Sequence, residues 1–260
     1  VNGRAYYNEI DPFAAQWLRN LIAAGHIAPG DVDERSIVDV RPDDVRGYTQ
    51  CHWCAGIGGW SYALRLAGWP DDRPVWTASL PCQPFSVASV HPETAAKGQA
   101  DDRHLLPVFT PLVAECRPPS IFGEQVRNAI KWGWLDEAFG ALEDLDYACG
   151  AAVMPALAFG ARHERNRISW VAHSCRAGRQ GYQPLERLSV TTQTSFAVDG
   201  DPLAGARRAL DGDYSDLLPC DGLSVVMERH ATKGYGNAIL PQQHAQFILA
   251  ADEAIGDCLT

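Results

Sequence analysis

The 260 residues are 46% hydrophobic, 21% charged and 9% aromatic, the make-up of a folded globular domain and not of a disordered chain. No run approaches the ~20 apolar residues that a membrane-spanning helix needs, so no membrane partner is expected. Twenty-two basic against 32 acidic side chains leave a net charge of −10, which excludes a protein that coats nucleic acid over its whole surface. Any nucleic-acid site must be a local basic patch.

Ala5 to Glu9 reads as a short strand rich in β-formers, and Asp11-Pro12 then opens a helix from Phe13 to Ala24, ended by Gly25, Pro29 and Gly30. Ser36 to Val40 is a second strand candidate and Pro42-Asp43-Asp44 a turn. Gln50 to Cys54 is a strand running into Gly56-Ile57-Gly58-Gly59, followed by a helix through Trp60, Ala63, Leu64 and Leu66. Val75 to Leu80 is a strand that ends at Pro81. A helix is expected from Leu105 to Cys116 in spite of Pro107 and Pro111, then a strand at Ser120-Ile121-Phe122 and a helix from Leu135 to Leu145. Ala148 to Met154 and Ile168 to Ala172 are strands, and Gln242 to Ala250 is the last helix. Strands alternating with helices predict an α/β fold, a parallel sheet faced by helices. From Ser174 to Glu228, about 55 residues, the alternation stops, which predicts a small separate region. Three parts are therefore expected: an α/β body over 1–173, a small region over 174–230, and a segment over 231–260 that returns to the body.

Val1 to Tyr7 lacks a basic region followed by an apolar run, so no secretory signal is expected. The eight cysteines are scattered and read as free thiols in a reducing compartment. Cys51 and Cys54 have no second pair at metal-ligand spacing, so no metal is expected.

Four strings carry chemistry. Gly56-Ile57-Gly58-Gly59, between a strand and a helix, lets backbone approach a ligand closely; a nucleotide, a dinucleotide or S-adenosylmethionine would suit it, and so would a plain tight turn. Glu9, ending the first strand, is the candidate partner for ribose hydroxyls. Cys82, in Pro81-Cys82-Gln83-Pro84-Phe85-Ser86, lies just past a strand's carboxyl end, where it is either a positioned nucleophile or a buried structural thiol. Glu124, in Phe122-Gly123-Glu124-Gln125-Val126, is an acid, a base or a hydrogen-bond partner for a heterocycle, or an exposed strand-end glutamate. Arg165 and Arg167, alternating in Arg162-His163-Glu164-Arg165-Asn166-Arg167, share a face if the segment is extended, either at a site or on a solvated edge.

In order and spacing these strings resemble the DNA cytosine-5 methyltransferase family. Cys54-Ala55-Gly56-Ile57-Gly58-Gly59 is similar to its cofactor motif, which usually opens with Phe, and Pro81 to Ser86 matches its nucleophile motif in full. Gly123-Glu124-Gln125-Val126 is similar to its Glu-Asn-Val motif, His163-x-Arg165-x-Arg167 to its Gln-x-Arg-x-Arg motif, and Gly236-Asn237-Ala238-Ile239 to its closing cofactor motif. Two further matches stand out of order. Asn8 to Ala15 resembles the motif that normally follows the glycine loop, and Asp33 to Ile37 the one after that, with Ser36 where the family has Asp. Both precede the glycine loop, so the motifs look circularly permuted. The helix after Gly59 must then either change face of the sheet or break the right-handed crossover rule.

The resemblance implies a Rossmann-like, S-adenosylmethionine-dependent methyltransferase sheet with a small irregular target-recognition lobe over 174–230, similar to compact stand-alone enzymes of bacteria and phages. It implies a monomer acting in the cytoplasm on double-stranded DNA, with an RNA substrate or an idle DNA-binding relative as alternatives. It assigns catalysis to Cys82, Glu124, Arg165 and Arg167, and S-adenosylmethionine binding to Glu9, Ile10, Ile37, Gly56, Ile57, Gly59, Pro81, Leu106, Asn237 and Ala238. Across 162–187, six arginines face two glutamates, and Arg162, Arg176, Arg179 and Arg187 are expected to meet DNA phosphates. Gln125 for Asn, Cys54 for Phe and Ser36 for Asp depart from the family pattern.

Overall fold

The computed structural model describes residues 3–81, 105–156, 166–174 and 239–259. Within them, seven strands form one sheet: Ala5–Asn8 (β1), Gly30–Asp33 (β2), Gln50–Trp53 (β3), Val75–Ala78 (β4), Ser120–Val126 (β5), Tyr147–Pro155 (β6) and Asn166–Ser174 (β7). Their spatial order is β2-β1-β3-β4-β5-β7-β6. The accompanying helices are Pro12–Ala23 (α1), Pro42–Val45 (α2), Gly59–Leu66 (α3), Leu106–Cys116 (α4), Trp134–Glu143 (α5) and Pro241–Leu259 (α6). The architecture is a mixed α/β sheet with helices on both faces.

Because successive strand residues point to opposite faces, each central strand feeds two cores. Tyr6, Trp53, Trp76 and Ile121 meet Val45 of α2, Phe109 and Val113 of α4 and Trp134 of α5 on one face. On the other face, Val75 and Phe122 meet Leu64 of α3 and Ile248 of α6, and Tyr7 meets Leu18 of α1. Phe122 sits among Trp69 and Phe247 at ring-centroid distances of 5.7 and 6.4 Å in edge-to-face contacts, and Trp60 lies 6.3 Å away.

The position of α3 settles the handedness question that the motif order raised. The connections β3–α3–β4 and β4–α4–β5 both step in the same direction across the sheet between parallel neighbours. Their helices lie on opposite faces, so the two crossovers have opposite hands. The β1–α1–β2 connection steps the other way on the α3 face and therefore shares the hand of β4–α4–β5. The crossover through α3 is thus the left-handed one, an arrangement that about 2% of such units adopt. Local polar contacts hold α3 there. Ser61 Oγ accepts from Ala28 N at 3.1 Å and lies 3.0 Å from the Tyr7 hydroxyl, which donates to Ala28 O at 2.7 Å.

Three sequence expectations change. The strand expected at Ser36–Val40 lies earlier, at Gly30–Asp33; Ile37–Asp39 is instead a 3-10 turn, capped by Ser36 Oγ accepting from Val38 N. Pro42–Val45 is a short helix, not a bare turn, with Pro42 in the first turn and Arg41 N donating to Asp44 Oδ2 at 2.9 Å. The sheet is not wholly parallel: β7 pairs antiparallel with β5 and β6, because it follows β6 through a connection too short to return to the opposite end. The expected small region over 174–230 lies, apart from Ser174, outside the described residues.

Gly123 stands opposite Trp170 in the β5–β7 register, and a Cβ there would come within 2.2 Å of the indole ring. Gly123→Ala is expected to force the buried Trp170 aside and lower stability by about 1–3 kcal/mol. Urea unfolding of the two proteins measures the difference.

Candidate active site

The carboxyl ends of β1, β3, β4 and β5 finish at one edge of the sheet, where open α/β sheets form their ligand crevices. A cavity of about 380 Å³ opens there, within the range of small-molecule sites. Asn8, Glu9, Ile10 and Asp11 line it from β1, Cys54 to Ile57 and Gly59 from the glycine loop, Ser79 to Pro81 from β4, and Glu124 and Val126 from β5. Arg167 enters from β7, whose antiparallel course returns its first residues to the same edge.

Each wall has a local cause. Glu9 follows β1 directly, and its Oε2 accepts from Gly56 N at 2.7 Å while Oε1 accepts from Asp11 N at 2.9 Å. One carboxylate therefore fixes the glycine loop against the start of α1. Asp11 Oδ1 accepts from Phe13 N at 3.0 Å and caps that helix. Gly56 has φ +56 with open space where a Cβ would stand, so its backbone is laid bare to the cavity. Gly59 is required for a different reason: a Cβ would stand 2.6 Å from Ile239, which closes the loop from behind.

The β2 end runs into the loop of residues 35–37. Asn8 Nδ2 donates to Arg35 O at 2.8 Å, and Tyr6 donates its hydroxyl to Asp33 Oδ2 at 2.7 Å. Arg35 pairs with Asp33 at 2.7 Å. Burial alone would raise the Asp33 carboxyl, but the Arg35 and Tyr6 hydrogen bonds outweigh it and bring the group down to about 2. Ser36 and Ile37 line the cavity beyond this clamp.

Glu124 Oε2 lies 3.3 Å from Arg167 Nε, and both side chains are largely buried. Gln125 is almost wholly buried, with Oε1 accepting from Val126 N at 2.9 Å and Nε2 donating to Leu80 O at 3.5 Å. Its longer side chain thus spans from β5 to the residue before Pro81. Burial, with the Glu9 charge next to it, pushes the Cys54 thiol up to about 12, so at neutral pH it is a neutral wall.

Of the cofactor residues assigned from sequence, Glu9, Ile10, Ile37, Gly56, Ile57, Gly59 and Pro81 all line this one cavity. Leu106 does not. As the first residue of α4 it turns into the core and is 2% exposed, and its neighbour Leu105 takes the cavity wall. Cys82, Arg162, Arg165, Arg176, Arg179, Arg187, Asn237 and Ala238 lie outside the described residues. Sequence reasoning missed Trp60, Ser79 and Val126 in the lining; their nearness to the motifs is the signal that could have found them.

Residues 69–196 match the family of C-5 cytosine-specific DNA methylases. The chain resembles that family over just under half of its length. It is 32% identical over 95 residues to the type II methyltransferase M.AplI of Arthrospira platensis, a match covering 36% of this chain and 26% of that protein. Among solved structures it is similar to the S. pombe Dnmt2 methyltransferase, at 14% identity and a TM-score of 0.39 over 66% of this chain and 50% of the other. It is also similar to the Entamoeba histolytica methyltransferase EhMeth, at 13% identity and a TM-score of 0.41 over 65% and 52%. The chain thus spans about a quarter of the curated relative and about half of these structures.

Cytosine-5 methylases take their methyl group from S-adenosylmethionine, and the cavity suits that donor. Among the described residues its charged lining is three carboxylates, Glu9, Asp11 and Glu124, against the guanidinium of Arg167. Such a surplus repels the pyrophosphate of a dinucleotide and favours a sulfonium cation. If that donor binds here, the Glu9 carboxylate, held by Gly56 and Asp11, would accept from its ribose hydroxyls, and the bared Gly56 backbone would allow the close approach.

Two outcomes follow. Glu9→Gln is expected to weaken S-adenosylmethionine binding about ten-fold or more, since a charged acceptor becomes an amide and the clamp on Gly56 loosens; titration calorimetry reads it. Asp33 has a folded pKa below its unfolded value, so its contribution to stability is complete above about pH 4. That contribution disappears as pH falls toward about 2. Asp33→Asn should therefore flatten the acid limb of the stability profile in that window, as followed by circular dichroism.

Proposed function

We propose that this chain transfers a methyl group from S-adenosylmethionine to C5 of a cytosine in double-stranded DNA, through a transient bond from Cys82 to the base. The observation that carries this is the single cavity shared by the glycine loop, Pro81 and the Glu124–Arg167 pair. Pro81, the residue directly before Cys82 in the sequence, lines this cavity.

Cytosine C5 is too weak a nucleophile to take a methyl group unaided. In the proposed reaction the Cys82 thiolate adds to C6, forming an S–C6 bond and moving the electron pair of the C5–C6 double bond to C5. Glu124 hydrogen-bonds N3 and the exocyclic amine and so stabilises the adduct once N3 has taken a proton from solvent, a proton that N3 gives back as Cys82 leaves. When bound, S-adenosylmethionine supplies an electrophilic methyl on its sulfonium. C5 takes that methyl as its bond to the sulfonium sulfur breaks and S-adenosylhomocysteine is left; C5 then loses its proton to a base, and the electron pair of that bond re-forms the double bond as Cys82 leaves C6. Arg167, paired with Glu124, and Arg165 hold the base edge. Both C5 and C6 are shielded inside a duplex, so the cytosine is flipped out, at a cost of a few kcal/mol. Arg162, Arg176, Arg179 and Arg187 contact phosphates, with 174–230 reading the target sequence.

Incubation with DNA containing 5-fluorocytosine, in the presence of S-adenosylmethionine, is expected to trap a covalent protein–DNA adduct, because fluorine at C5 cannot leave as a proton does. The adduct should be absent in Cys82→Ser. Undiminished methyl transfer by Cys82→Ser would end the covalent assignment, and incorporation into RNA alone would move the substrate to RNA.

A further inference from the structure

The geometry points to the turn after β5 as a contact for the substrate strand, in which Arg127 and Lys131 take backbone phosphates and Trp132 stacks on a base beside the cavity mouth. This rests on the DNA-methylating function above and names a surface that none of the motifs contains.

Placement comes first. Val126 lines the cavity, and Arg127–Trp132 is the 3-10 segment that follows it at the same edge of the sheet. The segment is pinned at both sides. Ala129 is fully buried within it; beyond its end, Gly133 takes φ +70 and donates from N to Ile130 O at 3.1 Å, and Trp134 is 2% exposed. Between these anchors Ile130 and Trp132 are 46% and 51% exposed. A large indole half exposed in the turn that leaves the cavity wall at Val126 is the type of apolar surface that marks a contact site.

Charge selects the partner. Elsewhere Arg4, Arg35 and Arg73 each have a carboxylate within 2.7 Å, as an acidic chain readily provides. Arg127 and Lys131 are exposed and form no ion pair with any described residue. The next acids in sequence, Asp136 and Glu137, stand in the first turn of α5, where they complement that helix's positive end. Two cations without an ion pair among the described residues, in the same six-residue turn as an exposed tryptophan, combine the phosphate-binding and base-stacking groups of a nucleic-acid surface. They also supply local positive charge where a polyanion must approach a protein of net charge −10.

The test uses the full chain with a fluorescein-labelled duplex carrying one mismatched cytosine, titrated over a series of salt concentrations. Arg127→Ala with Lys131→Ala should make the dependence of log K on log salt shallower by about 0.9 for each cation removed. Trp132→Ala should weaken binding about five-fold or more at every salt concentration, because stacking is not screened. S-adenosylmethionine titration and the urea midpoint establish that the variants are folded. If the parent chain binds the duplex and both variants bind it with the same affinity and slope, this surface is refuted while the proposed function stands. If the parent chain binds no duplex, the DNA reading fails and this surface with it. Retained duplex binding by the variants, with lost binding of an acidic protein, would likewise overturn the assignment.

Discussion

A single carboxylate organises the site. Glu9 ends β1 and accepts one hydrogen bond from its own helix start and one from Gly56, 47 residues away in the chain. Charge-assisted bonds of this kind are roughly twice as strong as neutral ones, and here they tie together two strand ends that must frame one ligand. Gly56 can accept the clamp because its positive φ turns the N–H back toward β1. The same φ exposes its backbone to the cavity, so the geometry that stabilises the loop also prepares it for binding.

The second organising feature is the return of β7. A parallel strand in that place would put Asn166 and Arg167 at the far edge of the sheet from Glu124. Running antiparallel, β7 sets Arg167 opposite Val126 and within 3.3 Å of the Glu124 carboxylate. Gly123 permits this close pairing by leaving room for the Trp170 ring three register steps further along. The acid and the guanidinium that face the cavity are therefore products of strand direction, not of sequence proximity, and the short connection after β6 is what sets that direction.

Much of this was legible in the chain because strong local signals carried it. The alternation of apolar strands with amphipathic helices found every strand except β2, and the glycine loop, Glu9, Pro81 and Glu124 were recognisable as strings at strand ends. β2 was misplaced for a physical reason. Gly30-Asp31-Val32-Asp33 has almost no β-forming character and owes its strand geometry to pairing with β1, whereas Ile37-Val38 has that character but follows a capping serine that turns it into a 3-10 segment. Leu106 was assigned to the cavity from the family resemblance alone. One step along a helix start rotates a side chain by about 100°, enough to exchange Leu105 and Leu106 between wall and core.

The left-handed connection through α3 follows from what this site demands. The ends of β1, β3 and β4 must lie side by side, and the glycine loop must lead into a helix on the face where Glu9 and α1 already stand. In a chain that makes β1 and β2 before β3, no step from β3 to β4 can satisfy both requirements with a right-handed turn, because that hand would carry α3 to the Trp53–Trp76 face. The Tyr7–Ser61–Ala28 contacts and the packing of Leu64 beside Phe122 and Ile248 hold the helix on the required face. The preference for right-handed crossovers is a matter of strand twist and loop economy. It yields here because the spatial neighbours of the glycine loop, and not the order in which the chain supplies them, determine whether the cavity can form.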